Sequence, residues 1–154
     1  MGAFMLRNGT SIPADAVFEA WTSGDLSRML AVRGLPTHPV DRHFLLMGIV
    51  GQTYSTRDDP SMRRLCLEVA EQHVSEFPGI APLLSDDMGG FLPRVPTFAQ
   101  LATVLAEDGR YDDAVAVCEK AIRWGLHDGT KGDYQGRIAR LRQSAEKLRR
   151  RVVG

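Results

Sequence analysis

Apolar residues recur at helical spacing along most of this chain, and the breaks between periodic runs fall on Gly, Pro, Ser and Asp. Ala16, Val17, Ala20 and Trp21 describe a short amphipathic helix, opened near Pro13 and closed by Ser23 and Gly24. Asp25 is placed to cap a second short helix with an apolar face of Leu26, Met29 and Leu30, ended at Gly34, Leu35 and Pro36. A longer helix is expected from Pro39 to about Thr56, with Phe44, Met47, Gly48 and Gly51 along one side. Asp58, Asp59 and Pro60 break it and start the next at about Ser61. That next helix carries Met62, Leu65, Cys66, Val69, Ala70 and His73 or Val74 on one face, and Phe77, Pro78 and Gly79 predict its end. Residues 79–95 then read as a Gly- and Pro-containing loop with a helical turn near Pro82 to Leu84, and the first ten or so residues read as loose.

The densest pattern is Phe98 to Leu126, FAQLATVLAEDGRYDDAVAVCEKAIRWGL. Phe98, Leu101, Ala102 and Leu105 share one helical face; Ala114, Val115, Val117, Cys118, Ala121 and Ile122 share another, and a tight Gly109-Arg110-Tyr111 turn joins them. Small residues at Ala102, Ala114 and Ala121 let the two backbones approach closely. In Phe98, Leu101, Ala102, Leu105, Gly109, Tyr111, Ala114, Cys118 and Ala121 this hairpin resembles the tetratricopeptide repeat (TPR), a helical pair of about 34 residues. Cys118 replaces the usual aromatic residue and Leu126 the closing proline, so Gly125 is expected to end the second helix. The resemblance covers about one fifth of the chain and implies a protein-binding scaffold. Phe44 and Gly48 resemble the first helix of a degenerate repeat, though Arg57 to Pro60 lacks the Gly and Tyr of the turn.

Beyond Gly132, Tyr134, Ile138, Leu141, Ala145, Leu148 and Val152 form one narrow apolar seam, suited to a terminal helix that covers a hairpin on one side and faces water on the other. Composition sharpens this picture at one point. The chain has 154 residues and no formal net charge, but residues 131–154 carry a local +6 and residues 1–130 carry −6. The Arg-rich last helix raises nucleic-acid binding as an alternative function; against it, the chain is not basic overall and no aromatic residues interleave with the cations. With 44% hydrophobic and 25% charged residues, a soluble globular domain is expected. No apolar run is long enough for a membrane span, and the first residues lack the layout of a secretory signal, so the expected location is cytoplasmic. Cys66 and Cys118 each sit in an apolar helical pattern and read as buried thiols in a reducing compartment, not as a disulfide.

Only His38, Asp41 and His43 resemble a metal or acid-base cluster, with His73 on the next helix as the natural further ligand. The spacing argues against it. Asp41 and His43 are two residues apart and do not share a helical face, and His38 precedes the helix. A metal-dependent enzyme is therefore the least favoured reading. No phosphate-binding Gly-rich loop, paired-cysteine zinc spacing or nucleophile elbow is present in the sequence.

The expected architecture is all-α: about seven helices in TPR-like antiparallel hairpins within a single domain, 1–154. The clear repeat spans about 95–128, the degenerate hairpin about 39–77 and a C-terminal capping helix about 132–152. The expected function is non-catalytic binding of a protein or peptide, with homo-oligomerisation as a further possibility and no cofactor or metal. Candidate contact residues are Gln52, Arg94, Ala99, Gln100, Thr103, Ala106 and Glu107, with the segment from Asp86 to Arg94 beside them. The inner face of the clear repeat carries no cation, so an apolar or helical ligand suits it better than an acidic tail.

Overall fold

In the computed structural model, which describes residues 2–154, the chain opens on a β-hairpin rather than a loose segment. Strand β1 (Phe4–Arg7) pairs antiparallel with β2 (Thr10–Pro13), with Met5 opposite Ile12 and Arg7 opposite Thr10. Asn8 and Gly9 make the two-residue turn at φ of 50° and 78°, a left-handed pair that Asn-Gly adopts at little cost and that matches the twist of the flanking strands. Pro13 therefore ends a strand; it does not start a helix.

The chain divides into two compact units, Met1–Pro93 and Arg94–Gly154. In the first, α1 (Ala16–Ser23) and α2 (Leu26–Ala31) follow the hairpin, each capped by an aspartate side chain: Asp15 accepts from the Phe18 amide and Asp25 from the Arg28 amide. Gly24 closes α1 in the left-handed conformation. Helix α3 (Pro39–Ser55) and helix α4 (Pro60–Asp87) then form an antiparallel hairpin, with Asp59 capping α4 at the Ser61 amide.

The buried stripe of α3 is not the one read from the sequence. Val40, His43, Leu46, Val50 and Thr53 are buried, with Leu45 and Ile49 beside them, whereas Phe44, Met47, Gly48 and Gly51 are half-buried. The helix is covered from two directions. Its deep face packs on α4, and its shallower face meets α1 and α2, where Phe44 stacks on Trp21 with ring centroids 4.8 Å apart and Gly48 faces Met29. A Cβ at Gly48 would lie 3.1 Å from the Met29 sulfur, so the missing side chain is what lets α2 come this close.

Helix α4 does not end at Pro78. It runs on through Pro78 and Pro82 to Asp87, which turns most of the predicted loop into helix. The two prolines and Gly79 are all exposed, and the prolines leave the carbonyls of Val74 and Pro78 without their usual helical N–H partner. The opposite side continues the apolar stripe through Phe77, Ile80, Ala81 and Leu84, all buried. Burial of that stripe outweighs the local preference to stop.

The second unit comprises α5 (Pro96–Glu107), α6 (Tyr111–Arg123) and α7 (Asp133–Val153), with α6 packed against both neighbours. Phe98, Leu101, Ala102, Leu105, Ala114, Cys118 and Ala121 are buried, as the spacing of the hairpin requires. Helix α7 buries Tyr134, Ile138 and Leu141 only; Leu148 is 42% exposed and Val152 79%, so its seam is covered over the first half alone. The structure is thus mostly helical, with seven helices and two short strands among the described residues. No helix among them is long and apolar enough to cross a membrane.

Candidate functional site

Asp41 is fully buried and belongs to a structural hub, not to a cluster with His43. Its Oδ1 accepts from Arg7 Nη2 at 2.7 Å and from Trp21 Nε1 at 3.0 Å, and its Oδ2 accepts from Arg7 Nε at 3.0 Å. One carboxylate thereby ties the β-hairpin, α1 and α3 together, with the bidentate geometry that a guanidinium matches best. The hairpin turn is tied as well: the Asn8 amide donates to Asp87, and its side-chain nitrogen donates to Asp86 and to the Leu83 carbonyl. His38 acts as the N-cap of α3, its Nδ1 accepting from the Val40 amide at 3.1 Å.

His43 and His73 do meet. His43 Nδ1 lies 2.9 Å from His73 Nε2 in the buried seam between α3 and α4, so one ring donates and the other accepts. Phe44 and Phe77 pack around the pair. Burial pushes the His43 pKa down to about 4. His73 falls to about 3, through burial first and then the positive charge of a protonated His43 and of Arg42. Both rings are therefore neutral at ordinary pH. His43 Nε2 is buried without a hydrogen-bond partner. Among the described residues no group of three or more His, Cys, Asp or Glu is placed to hold a metal ion, and neither Asp41 nor His38 joins the two rings. Beside the pair, Arg42 grips Glu76 through Nε at 2.9 Å and Nη2 at 3.0 Å and also donates to the Arg33 carbonyl. That guanidinium holds the Glu76 carboxyl below the usual carboxylate range.

The second unit contains an open cleft of about 340 Å³ between α5 and α7. Ala102, Ala106 and Leu141 supply apolar wall, Thr103, Tyr111 and Ser144 supply hydroxyls, and Glu107 completes the α5 side. Two cations from α7, Arg137 and Arg140, also line it. Three of the residues named from the sequence, Thr103, Ala106 and Glu107, thus converge on one concavity. The α5 face alone has no cation; the packing of α7 beside it brings two. That convergence follows from tertiary packing, although the four-residue spacing of Thr103–Glu107 and the three-residue spacing of Arg137–Arg140 already placed each pair on one helical face.

Arg137 is held in position from two sides. Its Nε donates to Asp128 at 3.1 Å and its Nη1 to the Thr103 hydroxyl at 3.3 Å, while that hydroxyl donates to the Ala99 carbonyl at 2.9 Å. Asp128 in turn accepts from the Thr130 amide and hydroxyl. Burial opposes its ionisation, but the bonds from Thr130 and Arg137 outweigh that and hold its pKa below the usual range. Arg140 makes no ion pair among the described residues, and Gly132 and Gly136 leave its guanidinium room beside the α7 backbone. The site therefore pairs one oriented cation with one uncommitted cation over an apolar wall.

None of the other named residues is part of the cleft lining. Gln52, in the first unit, spends its amide on the Gly24 carbonyl at 2.6 Å. Ala99 and Gln100 are half-buried on α5, and Gln100 Oε1 is buried without a partner. Arg94 sets its guanidinium against Gly129, where φ is +79° and a Cβ would collide with it. Along α7, Glu146 pairs with both Arg149 and Arg150, and Arg142 approaches Glu119 at 3.7 Å. No protein-family model, no curated protein and no solved structure matches this chain.

Proposed function

We propose that the protein is a non-catalytic binding module that takes a short peptide segment of a partner protein in the α5–α7 cleft. The observation that carries this reading is the cleft itself: an open concavity whose lining combines the apolar Ala102, Ala106 and Leu141 with hydroxyl residues, Glu107 and the two cations Arg137 and Arg140. Such a mixture suits a segment with an apolar side chain next to a carboxylate, the first filling the Ala102, Ala106 and Leu141 wall and the second accepting from Arg140. The TPR-like pattern of Phe98 to Ala121 is consistent with it, since that resemblance implies a scaffold for protein binding. Arg137, already committed to Asp128 and Thr103, would orient and Arg140 would recruit.

Filling the cleft tests the proposal. Peptides selected from a random display library on the intact chain are expected to bind an Ala106→Trp variant at least about tenfold more weakly, a loss of about 1.4 kcal/mol, with thermal stability little changed because Ala106 is half-buried. Arg140→Glu should reject the acidic members of the selected set and spare the neutral ones. Fluorescence anisotropy reads both, and peptides that bind wild type and Ala106→Trp equally would place recognition elsewhere and end this reading.

A further inference from the structure

We infer that the free edge of β1 pairs with β1 of a second copy of this chain, giving a two-fold symmetric dimer with a continuous four-stranded sheet. The inference concerns the first unit and is independent of the cleft. It rests on which way the hairpin's backbone groups point. The Ala14 amide donates to the Ala3 carbonyl at 2.8 Å, and the register places Met5 opposite Ile12 and Arg7 opposite Thr10. Hydrogen-bonded pairs alternate along an antiparallel ladder, so Ala3, Met5 and Arg7 aim their backbone groups at β2, and Phe4 and Leu6 aim theirs outward. Among the described residues nothing bonds the Phe4 and Leu6 amides or the Phe4 carbonyl, and the Leu6 carbonyl receives one bond, from Arg7 Nη1 at 2.8 Å, which leaves it a second lone pair.

The side chains of the same two residues are exposed, Phe4 at 69% and Leu6 at 65%, while Met5 between them is buried. Phe4 and Leu6 thus present apolar side chains on the outer face, and at the edge the amides of both, the Phe4 carbonyl and one lone pair of the Leu6 carbonyl stay open, a combination that natural edges usually avoid by charge or proline. The other edge is protected in that way: Pro13 lacks an N–H and stands at the outward-facing position of β2.

A second copy is the occupant because the edge is complementary to itself. Placed antiparallel about a two-fold axis through Met5, Phe4 of one chain falls opposite Leu6 of the other, and vice versa. Both are outward-facing positions, so each such pair exchanges two hydrogen bonds, and an aromatic ring meets a leucine on the outer face of the sheet. Pro13 at both outer edges stops further addition, so assembly closes at two chains and does not propagate as a fibre.

Sedimentation and translational diffusion from about 10 µM to about 1 mM test the inference, on protein with a free N-terminus. Wild type is expected to shift from monomer to dimer over this range. The Phe4→Lys/Leu6→Lys double variant should stay monomeric with an unchanged helical circular dichroism spectrum, because both side chains are exposed. Register is read separately by mixing a Phe4→Cys chain with a Leu6→Cys chain: with Cα atoms about 5.5 Å apart in the proposed pairing, the mixed disulfide should exceed either homodisulfide severalfold. A wild type monomeric throughout, a dimer that survives both lysines, or no preference for the mixed disulfide would each overturn it.

Discussion

Replacing Asp41 with alanine is expected to lower the unfolding free energy by about 3–5 kcal/mol, among the largest effects any single substitution here should have. The carboxylate is fully buried and receives two bonds from Arg7 and one from the Trp21 indole. Its loss leaves the Arg7 guanidinium, whose side chain is only 12% exposed, without a counterion, and leaves the indole N–H without an acceptor. Because three elements meet on this group, the damage should reach the packing of α1 and β1 on α3. Trp21→Phe removes a single bond and keeps most of the stack on Phe44, so it should cost only about 1 kcal/mol. Urea denaturation of the two variants measures both. Equal and small losses would mean that the carboxylate is not the hub its contacts describe.

Acidification should unfold the protein earlier than carboxylate titration alone would. His43 and His73 have folded pKa values of about 4 and about 3, below the ordinary histidine value of 6.5 that they regain on unfolding. Below pH 6.5 the unfolded chain therefore takes up two protons that the folded chain refuses. Stability is full above that pH and falls as pH drops toward 4. Each group contributes about 1.4 kcal/mol per pH unit within the window, so together they should remove about 3–4 kcal/mol between pH 7 and pH 5. A His43→Leu/His73→Leu variant should lose most of this slope. The same slope in wild type and variant would assign the acid sensitivity to other groups, such as the carboxylate of Glu76, which its Arg42 partner holds below the usual carboxylate range.

What the sequence conveyed depended on whether the signal was local. The caps at Asp25 and Asp59, the Gly24 stop and the helical pair around Gly109 are all short-range chemistry, and each lies where the residues place it. The N-terminal hairpin is equally local, since Asn8-Gly9 between two apolar stretches is a strong turn signal, but its strands are only four residues each and too short to show a clear alternation. Helix α4 shows the opposite case. Pro78 and Gly79 argue for a stop, and only the tertiary burial of Phe77, Ile80 and Leu84 overrides them. The candidate cleft divides in the same way. Thr103, Ala106 and Glu107 could be named from one helix, but Arg137 and Arg140 come from another helix about 35 residues later, and no periodicity reports which of its faces turns toward α5. His73 was legible from the sequence only as a further ligand of the disfavoured metal cluster; it meets His43 across α3 and α4, while Asp41 is drawn away by Arg7, a partner 34 positions earlier.

The two cysteines give this chain a built-in pair of reporters. Cys66 lies fully buried on α4 and Cys118 fully buried on α6, one in each compact unit, and neither is in a disulfide. Burial also pushes the Cys118 thiol up to about 11, so it reacts slowly until the surrounding helices part. Alkylation followed by peptide mass spectrometry would then time the opening of the two units separately, in a single tube of unmodified protein, and show whether a peptide bound at the cleft protects one clock while leaving the other running.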